Sequence, residues 1–373
     1  MKILINCNSF LKNQFTGIGR YTSNLIENLQ KVDATNQYFL YAKKGLFDTK
    51  KKTPKVHAKN FHVKRDFFYR GISSFLKNID IYHAPSLENL PNTSSNIVVT
   101  IHDCIHKAYP KGHAENTIQE TESKMQQAIQ KASMFICDSE NTKKDVLKFY
   151  SIDPQKTKVI YPGTTPTLFY PLSKSGLETS KNKLQAKGIQ SPYLLFVGTI
   201  EPRKNVKGVI EAFHHLKKTQ KFLGQLVIVG MYGWMQSDIF HFIENLNLKD
   251  DILFLNYIST EELRALYNHA EVFVYPSYYE GFGFPILEAF QCGTAVVTSN
   301  VSSCPEIAGD AALTVDPGNS KAISEAVLNI LEDPTLKRNL EEKALHRTQA
   351  FSFQKTAQQT LEVYQSVYRA TTS

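Results

Sequence analysis

The chain contains 373 residues, of which 42% are hydrophobic and 21% are charged, and it carries a formal net charge of +8. This composition excludes disordered, collagen-like and disulfide-scaffold proteins, and the length is typical of two domains at roughly 150 residues per domain. Five scattered cysteines without a Cys-x-x-Cys pair predict reduced thiols in a cytosolic protein and no zinc site. Because the apolar runs are too short for a membrane span or a signal peptide, we expect a soluble or peripheral protein that is not exported.

Residues 1–172 are predicted to form a first domain of alternating strands and helices. Short apolar runs predict buried strands at 2–7, 38–41, 79–83, 97–102, 134–137 and 158–161. Helical periodicity predicts intervening helices such as 19–32 and 115–132. The alternation is typical of a doubly wound parallel α/β domain.

A polar stretch at 173–192 interrupts this pattern and is predicted to be a linker. The pattern then restarts with strands at 193–198, 225–230, 252–255, 272–275 and 295–298, and with helices at 205–219, 237–246, 260–270, 285–290 and 321–332. Residues 190–352 are therefore assigned to a second domain, and a cleft between the domains is the expected ligand site. The sequence of a final predicted helix, 353–369, favours neither domain as its packing partner.

The segment from Glu280 to Glu288, Glu-Gly-Phe-Gly-Phe-Pro-Ile-Leu-Glu, follows a strand and opens a helix. Pro285 suits a first helical turn, and the glycines before it let backbone amides approach a ligand. Free N–H groups at a helix start favour a phosphate, and two carboxylates can accept hydrogen bonds from sugar hydroxyls. Alternatively, Glu288 only complements the helix dipole and Glu280 is a solvated turn residue.

Two adjacent cations, Arg203 and Lys204, follow Gly198 in the first strand-to-helix loop of the second domain. Such loops lie at the carboxyl edge of the sheet, where α/β proteins bind ligands. Arg grips a phosphate through two hydrogen bonds and Lys adds a point charge, so the pair predicts an anion site. A solvated surface pair is the alternative.

The first domain carries two further candidate motifs. Thr16, Gly17 and Gly19 resemble part of a dinucleotide-binding turn that lacks its third glycine, so a tight turn explains them equally well. His102 and Asp103 end an apolar strand, where His102 can bind a sugar hydroxyl or carry a proton and Asp103 can interact with an acceptor. The alternative for both is an ordinary surface or core position.

Positive charge is concentrated in the first half of the chain. Residues 1–170 hold 24 Lys and Arg against 14 Asp and Glu, whereas residues 171–373 hold 19 against 21. The basic stretch 43–70 includes Lys50, Lys51 and Lys52, and near its end cations alternate with aromatic residues. The candidate residues for a membrane or acceptor contact are Lys64, Arg65, Phe67, Phe68 and Arg70. Cations and aromatics together favour an anionic membrane surface, and a solvated lysine-rich loop is the alternative.

The motifs together resemble the retaining nucleotide-sugar glycosyltransferases of family 4, also called group 1 glycosyltransferases. The Glu-x7-Glu segment carries the resemblance, and other matching features follow in family order along nearly the whole chain. They are Gly17 and Gly19, His102 with Asp103, residues 161–163, residues 198–205 and Glu306. The resemblance implies the GT-B fold, in which two Rossmann-like doubly wound domains face each other across a cleft.

The resemblance also implies how a donor is held. Arg203 and Lys204 would bind the diphosphate, and Glu288 would bind the ribose hydroxyls. The backbones of Gly17, Gly19 and Gly198 would approach the donor. Because Thr199 stands where many members have an arginine, the arginine contribution rests on Arg203 alone.

The donor sugar would contact residues of both domains. Glu280 and the amides of Phe282, Gly283 and Phe284 would hold the sugar, and His102 would meet it from the first domain. The implied catalytic residues are His102, Glu280, Arg203 and Lys204. The final helix, about 353–373, is expected to cross back to the first domain, and no metal or other cofactor is expected.

The implied activity is transfer of a hexose from a nucleotide sugar to a glycan or polyprenyl-linked acceptor in cell-surface polysaccharide assembly, such as O-antigen, capsule or exopolysaccharide. The form Gly-Thr-x-Glu-Pro-Arg-Lys-Asn resembles a subgroup rich in bacterial mannosyltransferases, so GDP-mannose is the expected donor. A UDP-sugar is the alternative within the family. We expect a cytoplasmic protein, peripheral on the inner face of the membrane, that binds no nucleic acid.

Three other classes of function compete with this interpretation. A nicotinamide-dependent dehydrogenase or epimerase shares the doubly wound pattern, but the missing third glycine and the Glu280 to Glu288 pair count against it. A non-catalytic nucleotide-binding or anionic-polymer-binding protein would use the basic half. A catalytically dead family member is disfavoured because no motif position needed for the chemistry is lost.

Overall fold

The computed structural model describes residues 1–11, 17–45, 48, 53–91, 96–111, 115–231, 236–256 and 258–372. Its contacts divide the chain into two compact units. The first unit comprises residues 1–163 and 351–373, and the second comprises residues 164–350. None of the helices in these described ranges is both long and apolar enough to cross a bilayer.

The first unit is built on a parallel sheet of seven strands. These are β1 Lys2–Asn6, β2 Gln37–Ala42, β3 Phe61–Arg65, β4 Ile81–Ala84, β5 Asn96–Ile101, β6 Met134–Cys137 and β7 Thr157–Val159. Their order is β3-β2-β1-β4-β5-β6-β7, and every neighbouring pair is parallel. The helices between them are α1 Gly17–Val32, α2 Ile105–Ala108, α3 Glu115–Lys131 and α4 Glu140–Phe149.

The second unit repeats this plan with six parallel strands. These are β8 Tyr193–Val197, β9 Gln225–Val229, β10 Ile252–Leu255, β11 Val272–Tyr275, β12 Val296–Ser299 and β13 Leu313–Val315. Their order is β10-β9-β8-β11-β12-β13. The helices are α5 Lys174–Gln185, α6 Val206–Lys218, α7 Gln236–Asn245, α8 Thr260–His269, α9 Phe284–Gln291, α10 Cys304–Ala308, α11 Ser320–Glu332 and α12 Pro334–Arg347.

In both sheets the chain reverses its direction of travel at the first strand. The reversal lies between β1 and β4 in the first unit and between β8 and β11 in the second. Loops at the carboxyl ends of such strand pairs diverge to opposite faces and leave a crevice for ligands. The loops after β8 and β11 span residues 198–205 and 276–283, and they contain Arg203, Lys204 and Glu280, which the sequence selects as candidate site residues.

The last helix, α13 Phe353–Thr372, packs on α1 of the first unit. Its buried Tyr364 hydroxyl lies 2.6 Å from Nδ1 of His83, which is itself fully buried on β4. The Thr356 hydroxyl donates to the carbonyl of Tyr161 at 2.7 Å. The first unit therefore combines residues from both ends of the chain.

The predicted linker at 173–192 is wrong for most of its length, because residues 174–185 form α5. The hydroxyl of Ser173 caps this helix by accepting from the amide of Gly176, and the helix packs on α8. Only Ser180 and Leu184 are buried, so its polar exposed surface hides the helical signal. Residues 164–172 also belong to the second unit, where Phe169 packs edge-on against Tyr267.

Some elements have no counterpart among the predicted ones. The edge strand β3 is largely exposed and rich in charge, and β13 has only three residues. In α12 only Leu340 and Ala344 are buried, which leaves little periodic apolar signal. The two strands are fixed by their neighbours in the sheet, and α12 by its packing on α9 and α11, rather than by a local apolar pattern.

We expect Gly163→Ala to destabilise the first unit, because an added Cβ would overlap the backbone at Ser352 and Phe353. Overpacking of this kind costs on the order of 1–3 kcal/mol. Urea unfolding followed by circular dichroism measures the loss. Gly17→Ala is the control, since a Cβ at Gly17 meets nothing within 4 Å, and equal stability of the two variants would contradict the expectation.

Candidate functional site

The two loops that follow β8 and β11 are tied together at the point where the second sheet reverses. Asn205 adopts a left-handed conformation with φ of 58°, and its Oδ1 caps α6 by accepting from the amide of Gly208. Its Nδ2 donates to the carbonyls of Pro276 at 3.1 Å and Pro317 at 2.6 Å. The amide of Tyr278 donates to the carbonyl of Arg203 at 2.8 Å. These bonds fix the cationic loop against the Glu280 loop.

Glu280 lies between the two cations and binds both. Lys204 Nζ donates to its Oε1 at 2.6 Å, and Arg203 Nη1 donates to its Oε2 at 2.8 Å. Tyr275, at the end of β11, donates its hydroxyl to the same Oε1 at 2.8 Å. Arg203 Nη2 also donates to Glu201 at 2.5 Å. The cluster therefore joins two cations and two carboxylates, and Glu280 is neither a free ligand nor a solvated turn residue.

The charges of this cluster depend on one another. Burial by itself raises the pKa of Glu280, but Lys204 and Arg203 outweigh it and lower the pKa to about 2. Burial lowers the pKa of Lys204, and the negative charge of Glu280 opposes that decrease. The carboxylate is therefore ionised at neutral pH and stabilises the buried ammonium group.

The backbone around Glu280 is held by two serines that precede α10. The Ser303 hydroxyl lies 2.9 Å from the carbonyl of Glu280 and 2.8 Å from that of Phe282. The Ser302 hydroxyl also donates to the carbonyl of Glu280. Gly283 adopts a φ of 111°, which suits glycine, and α9 begins at Phe284. The amides at 282–284 thus belong to a fixed turn at a helix start, as the sequence predicts.

Glu288 lies one turn into α9 and is buried. Its Oε2 accepts from the hydroxyl of Tyr267 at 3.2 Å. Glu280 and Glu288 therefore have different partners: Glu280 binds the two cations, whereas Glu288 accepts a hydrogen bond from a tyrosine of α8. The Glu-x7-Glu segment identifies both carboxylates, but the sequence does not predict which groups each of them binds.

His102 and Asp103 lie in the first unit, at the carboxyl end of β5. Nδ1 of His102 is 2.5 Å from Oδ2 of Asp138, and Nε2 is 2.7 Å from the carbonyl oxygen of Pro85. Asp103 accepts from the amide of Ile105 at the start of α2. Both ring nitrogens of His102 therefore have acceptors within the first unit.

Gly17 and Gly19 form the first turn of α1, where Gly17 is exposed and Gly19 is buried. Thr16, the first residue of this motif, lies outside the described residues. The glycine motif is therefore a helix start after β1, at the reversal point of the first sheet. Gly198 is a half-buried residue directly after β8.

The basic and aromatic candidates lie at the end of the edge strand β3 and on the turn that follows it. Asp66 is buried, accepts from the Tyr41 hydroxyl and binds the amides of Arg70 and Gly71 at 3.0 and 2.9 Å. Around it Lys64, Arg65, Phe67, Phe68 and Arg70 are all exposed, with 71% of Phe68 accessible. Lys50, Lys51 and Lys52 lie outside the described residues.

The sequence analysis does not single out four residues that contact the candidate site residues: Glu201, Tyr275, Ser303 and Asp138. Tyr275 ends an apolar strand and Asp138 directly follows one, so the apolar runs mark both as core positions, and Ser303 lies in a separate loop. Glu201 is part of the motif that holds Arg203 and Lys204, so its carboxylate beside two cations is the one signal available from sequence.

Comparison with known proteins identifies the family of the chain. Residues 15–168 match the family described as Glycosyltransferase Family 4, and residues 179–347 match Glycosyl transferases group 1. The O-antigen chain mannosyltransferase B of Escherichia coli is 31% identical over 291 residues, which cover 76% of this chain and 74% of that protein. The chain belongs to the group 1 glycosyltransferases and is therefore a transferase.

Two further proteins place the chain within this family and its fold. The O-antigen chain mannosyltransferase RfbU of Salmonella typhimurium is 28% identical over 239 residues, covering 64% of this chain and 62% of that protein. The solved structure of sucrose-phosphate synthase from Thermosynechococcus elongatus superposes with a TM-score of 0.77 at 21% identity, covering 99% of each chain. The predicted α/β class with the GT-B fold is confirmed.

We expect Glu280→Gln to lower the free energy of unfolding at pH 7 by about 3–5 kcal/mol, because it breaks a buried ion pair. The pKa of Glu280 is lowered from 4.5 to about 2, so its ionised form adds stability above pH 4.5 that is lost as the pH falls toward 2. The difference between wild type and variant should shrink over that range in urea unfolding.

The matched control is Glu332→Gln, since Glu332 forms an exposed pair with Lys221. Removing an exposed pair costs at most about 1 kcal/mol. A difference between wild type and Glu280→Gln that stays constant from pH 5 to pH 2 would contradict the assignment of Glu280 as the ionised partner of both cations.

Proposed function

We propose that the protein transfers mannose from GDP-mannose to a glycan or lipid-linked acceptor in O-antigen assembly. The observation that carries this proposal is the pairing of Arg203 and Lys204 with Glu280 at the reversal point of the second sheet. The 31% identity to an O-antigen chain mannosyltransferase supports the choice of sugar and acceptor class.

The cationic cluster suits the departure of a nucleoside diphosphate. Cleavage of the sugar–phosphate bond leaves additional negative charge on the diphosphate, and preorganised cations stabilise that charge without a large rearrangement. Lys204 is held by Glu280 and Tyr275, and Arg203 is held by Glu280 and Glu201. We propose that these two cations and the amides at the start of α9 replace a metal ion in this role.

Glu288 is proposed to bind the ribose hydroxyls of the donor. It is buried one turn into α9, and Tyr267 orients its carboxylate through Oε2. A carboxylate accepts hydrogen bonds from two hydroxyls, which is the pattern that a ribose presents. Glu280 is proposed to hold the sugar hydroxyls while it maintains both cations.

We propose that transfer proceeds with retention of the anomeric configuration through attack on the same face as the leaving group. A double displacement needs a carboxylate nucleophile at the sugar. The side-chain oxygens of Glu280 are bound to two cations, which lowers their nucleophilicity, and Glu288 serves the ribose in this proposal. The departing diphosphate oxygen would then accept the proton of the acceptor hydroxyl.

The donor is tested by thermal shift against GDP-mannose, GDP, UDP-glucose and UDP-N-acetylglucosamine. A ligand at 100 times its Kd stabilises the folded protein by about 2.7 kcal/mol, so the donor should raise the melting temperature. Stabilisation by UDP-sugars but not by GDP-mannose would overturn the choice of nucleotide. Trapping of a covalent glycosyl-enzyme with a 2-fluoro donor would overturn the same-face mechanism.

We expect Lys204→Met and Glu288→Gln each to lower kcat/KM for transfer at least about tenfold, or ~1.4 kcal/mol of transition-state stabilisation. Lys204→Met also removes a partner of Glu280, so melting temperatures must accompany the kinetics. Glu325→Gln, on the exposed surface of α11, is the control. Activity near the wild-type value in Glu288→Gln would remove the ribose assignment.

We also propose that the turn after β3 brings the first unit to an anionic inner-leaflet surface. Asp66 anchors the turn from inside, and the exposed Phe68, Lys64 and Arg65 surround it. Aromatic rings suit the lipid interface, and each cation near an anionic surface contributes about 1 kcal/mol. Such docking would bring the enzyme to a lipid-linked acceptor.

We expect reversal of Lys64, Arg65 and Arg70 to Glu to reduce flotation with vesicles that contain phosphatidylglycerol. Binding of the wild type should also fall as the salt concentration rises, because salt screens exposed charges. Reversal of the exposed Lys174, Lys181 and Lys218 in the second unit is the control for net charge. Equal flotation of the two triple variants would reject this docking surface.

A further inference from the structure

A buried carboxylate, Asp138, lies against the ring of His102 in the first unit. His102 follows β5 and Asp138 follows β6, and these strands are neighbours with Ile101 opposite Cys137. The two side chains therefore meet at the carboxyl edge of the sheet. Asp138 is 1% exposed, whereas 16% of the His102 side chain is exposed.

Both nitrogens of His102 point at oxygen atoms. Nδ1 is 2.5 Å from Oδ2 of Asp138, and Nε2 is 2.7 Å from the carbonyl oxygen of Pro85. A backbone carbonyl and an ionised carboxylate only accept hydrogen bonds. A neutral imidazole has one N–H, so with Asp138 ionised it would direct a lone pair at one of these oxygens. Two N–H groups satisfy both, which requires the imidazolium form.

His102 is also the ring that Asp138 faces, since Oδ2 of Asp138 lies 2.5 Å from Nδ1. Oδ1 of Asp138 is buried and has no hydrogen-bond partner among the described residues. Burying a carboxylate is unfavourable unless an opposite charge and hydrogen bonds compensate for the lost water, and His102 is placed to supply both. The loop is held in place by Thr142 of α4, whose hydroxyl donates to the carbonyl of His102 at 3.2 Å.

The groups around His102 are consistent with a single positive charge on this ring. Burial lowers the pKa of His83 to about 3, and the charge of His102 lowers it further in the same direction, so His83 is neutral. Tyr21 meets the His102 ring edge-on at 5.1 Å, and burial raises its pKa, so it is neutral as well. Burial opposes protonation of His102, but Asp138, the Pro85 carbonyl and Asp103 outweigh it and raise its pKa.

We propose that Asp138 is a positioning residue that keeps His102 doubly protonated, so that His102 acts as a fixed positive charge and not as a proton acceptor. This role in catalysis rests on the proposed transfer reaction, in which a cation at the sheet edge favours an anionic donor. The protonation state itself is independent of that function. The sequence predicts that His102 binds a sugar hydroxyl or carries a proton. In this proposal His102 retains its proton as a positive charge and does not transfer it.

Histidine 15N spectroscopy tests the protonation state directly. The protein contains 11 histidines, and the signals of His102 are assigned by their loss in His102→Gln. In the wild type we expect both nitrogens of His102 to stay protonated above pH 6.5, the ordinary midpoint for histidine. In Asp138→Asn the midpoint should fall by at least about one pH unit.

Asp103→Asn is the matched control, because Asp103 is the other nearby carboxylate and bonds to the amide of Ile105, whereas the ring nitrogens of His102 face Asp138 and Pro85. Its effect on the midpoint should be smaller than that of Asp138→Asn. Asp138→Glu retains the negative charge, so its His102 midpoint should lie between those of the wild type and Asp138→Asn. A neutral His102 at pH 6.5 with the proton on Asp138, or an unchanged midpoint in Asp138→Asn, would overturn the proposal.

Kinetics distinguish this role from a merely structural one. In the transfer assay, Asp138→Asn should move the alkaline limb of the pH–rate profile to lower pH. The size of this shift should equal the decrease in the titration midpoint of His102. Loss of activity with an unshifted profile would show a structural role and contradict the proposal. If no nucleotide sugar is transferred by the wild type, the proposed function fails while the spectroscopic result stands.

Discussion

The arrangement of the second unit depends on one buried carboxylate. Glu280 pairs with Lys204 and Arg203 at once, and without it Glu201 would be the remaining carboxylate partner for two cations in a poorly solvated loop. Their attraction to Glu280 draws the loop after β8 toward the loop after β11, and Ser302 and Ser303 hold the backbone of Glu280 in place. The same contacts therefore stabilise the fold and prepare positive charge for a ligand.

Strands that coincide with short apolar runs were predictable from the sequence. Residues 134–137, 252–255 and 272–275 match the observed strands at both ends. Elements with a polar surface were not predictable in this way. In α5 only two side chains are buried, and its helical form depends on packing against α8.

The candidate site was predictable at the level of residues but not of partners. Gly-rich and charged motifs identify Arg203, Lys204, Glu280 and Glu288 because such residues are unusual at loop and helix starts. Which carboxylate neutralises which cation depends on strand order, which brings residues 76 positions apart to hydrogen-bonding distance. Tyr275 and Asp138 remained hidden for a related reason, since Tyr275 is the last residue of an apolar strand and Asp138 directly follows one.

The return of α13 to the first unit has a consequence for biosynthesis. Residues 164–350 form a complete unit, whereas the first unit includes Tyr364, whose hydroxyl meets the buried His83. Domains generally fold as units as the chain leaves the ribosome. The second unit can therefore reach its final packing while the first, although synthesised earlier, still exposes the surface of α1 that α13 covers. The packing of the first unit can thus be completed only after α13 has been synthesised.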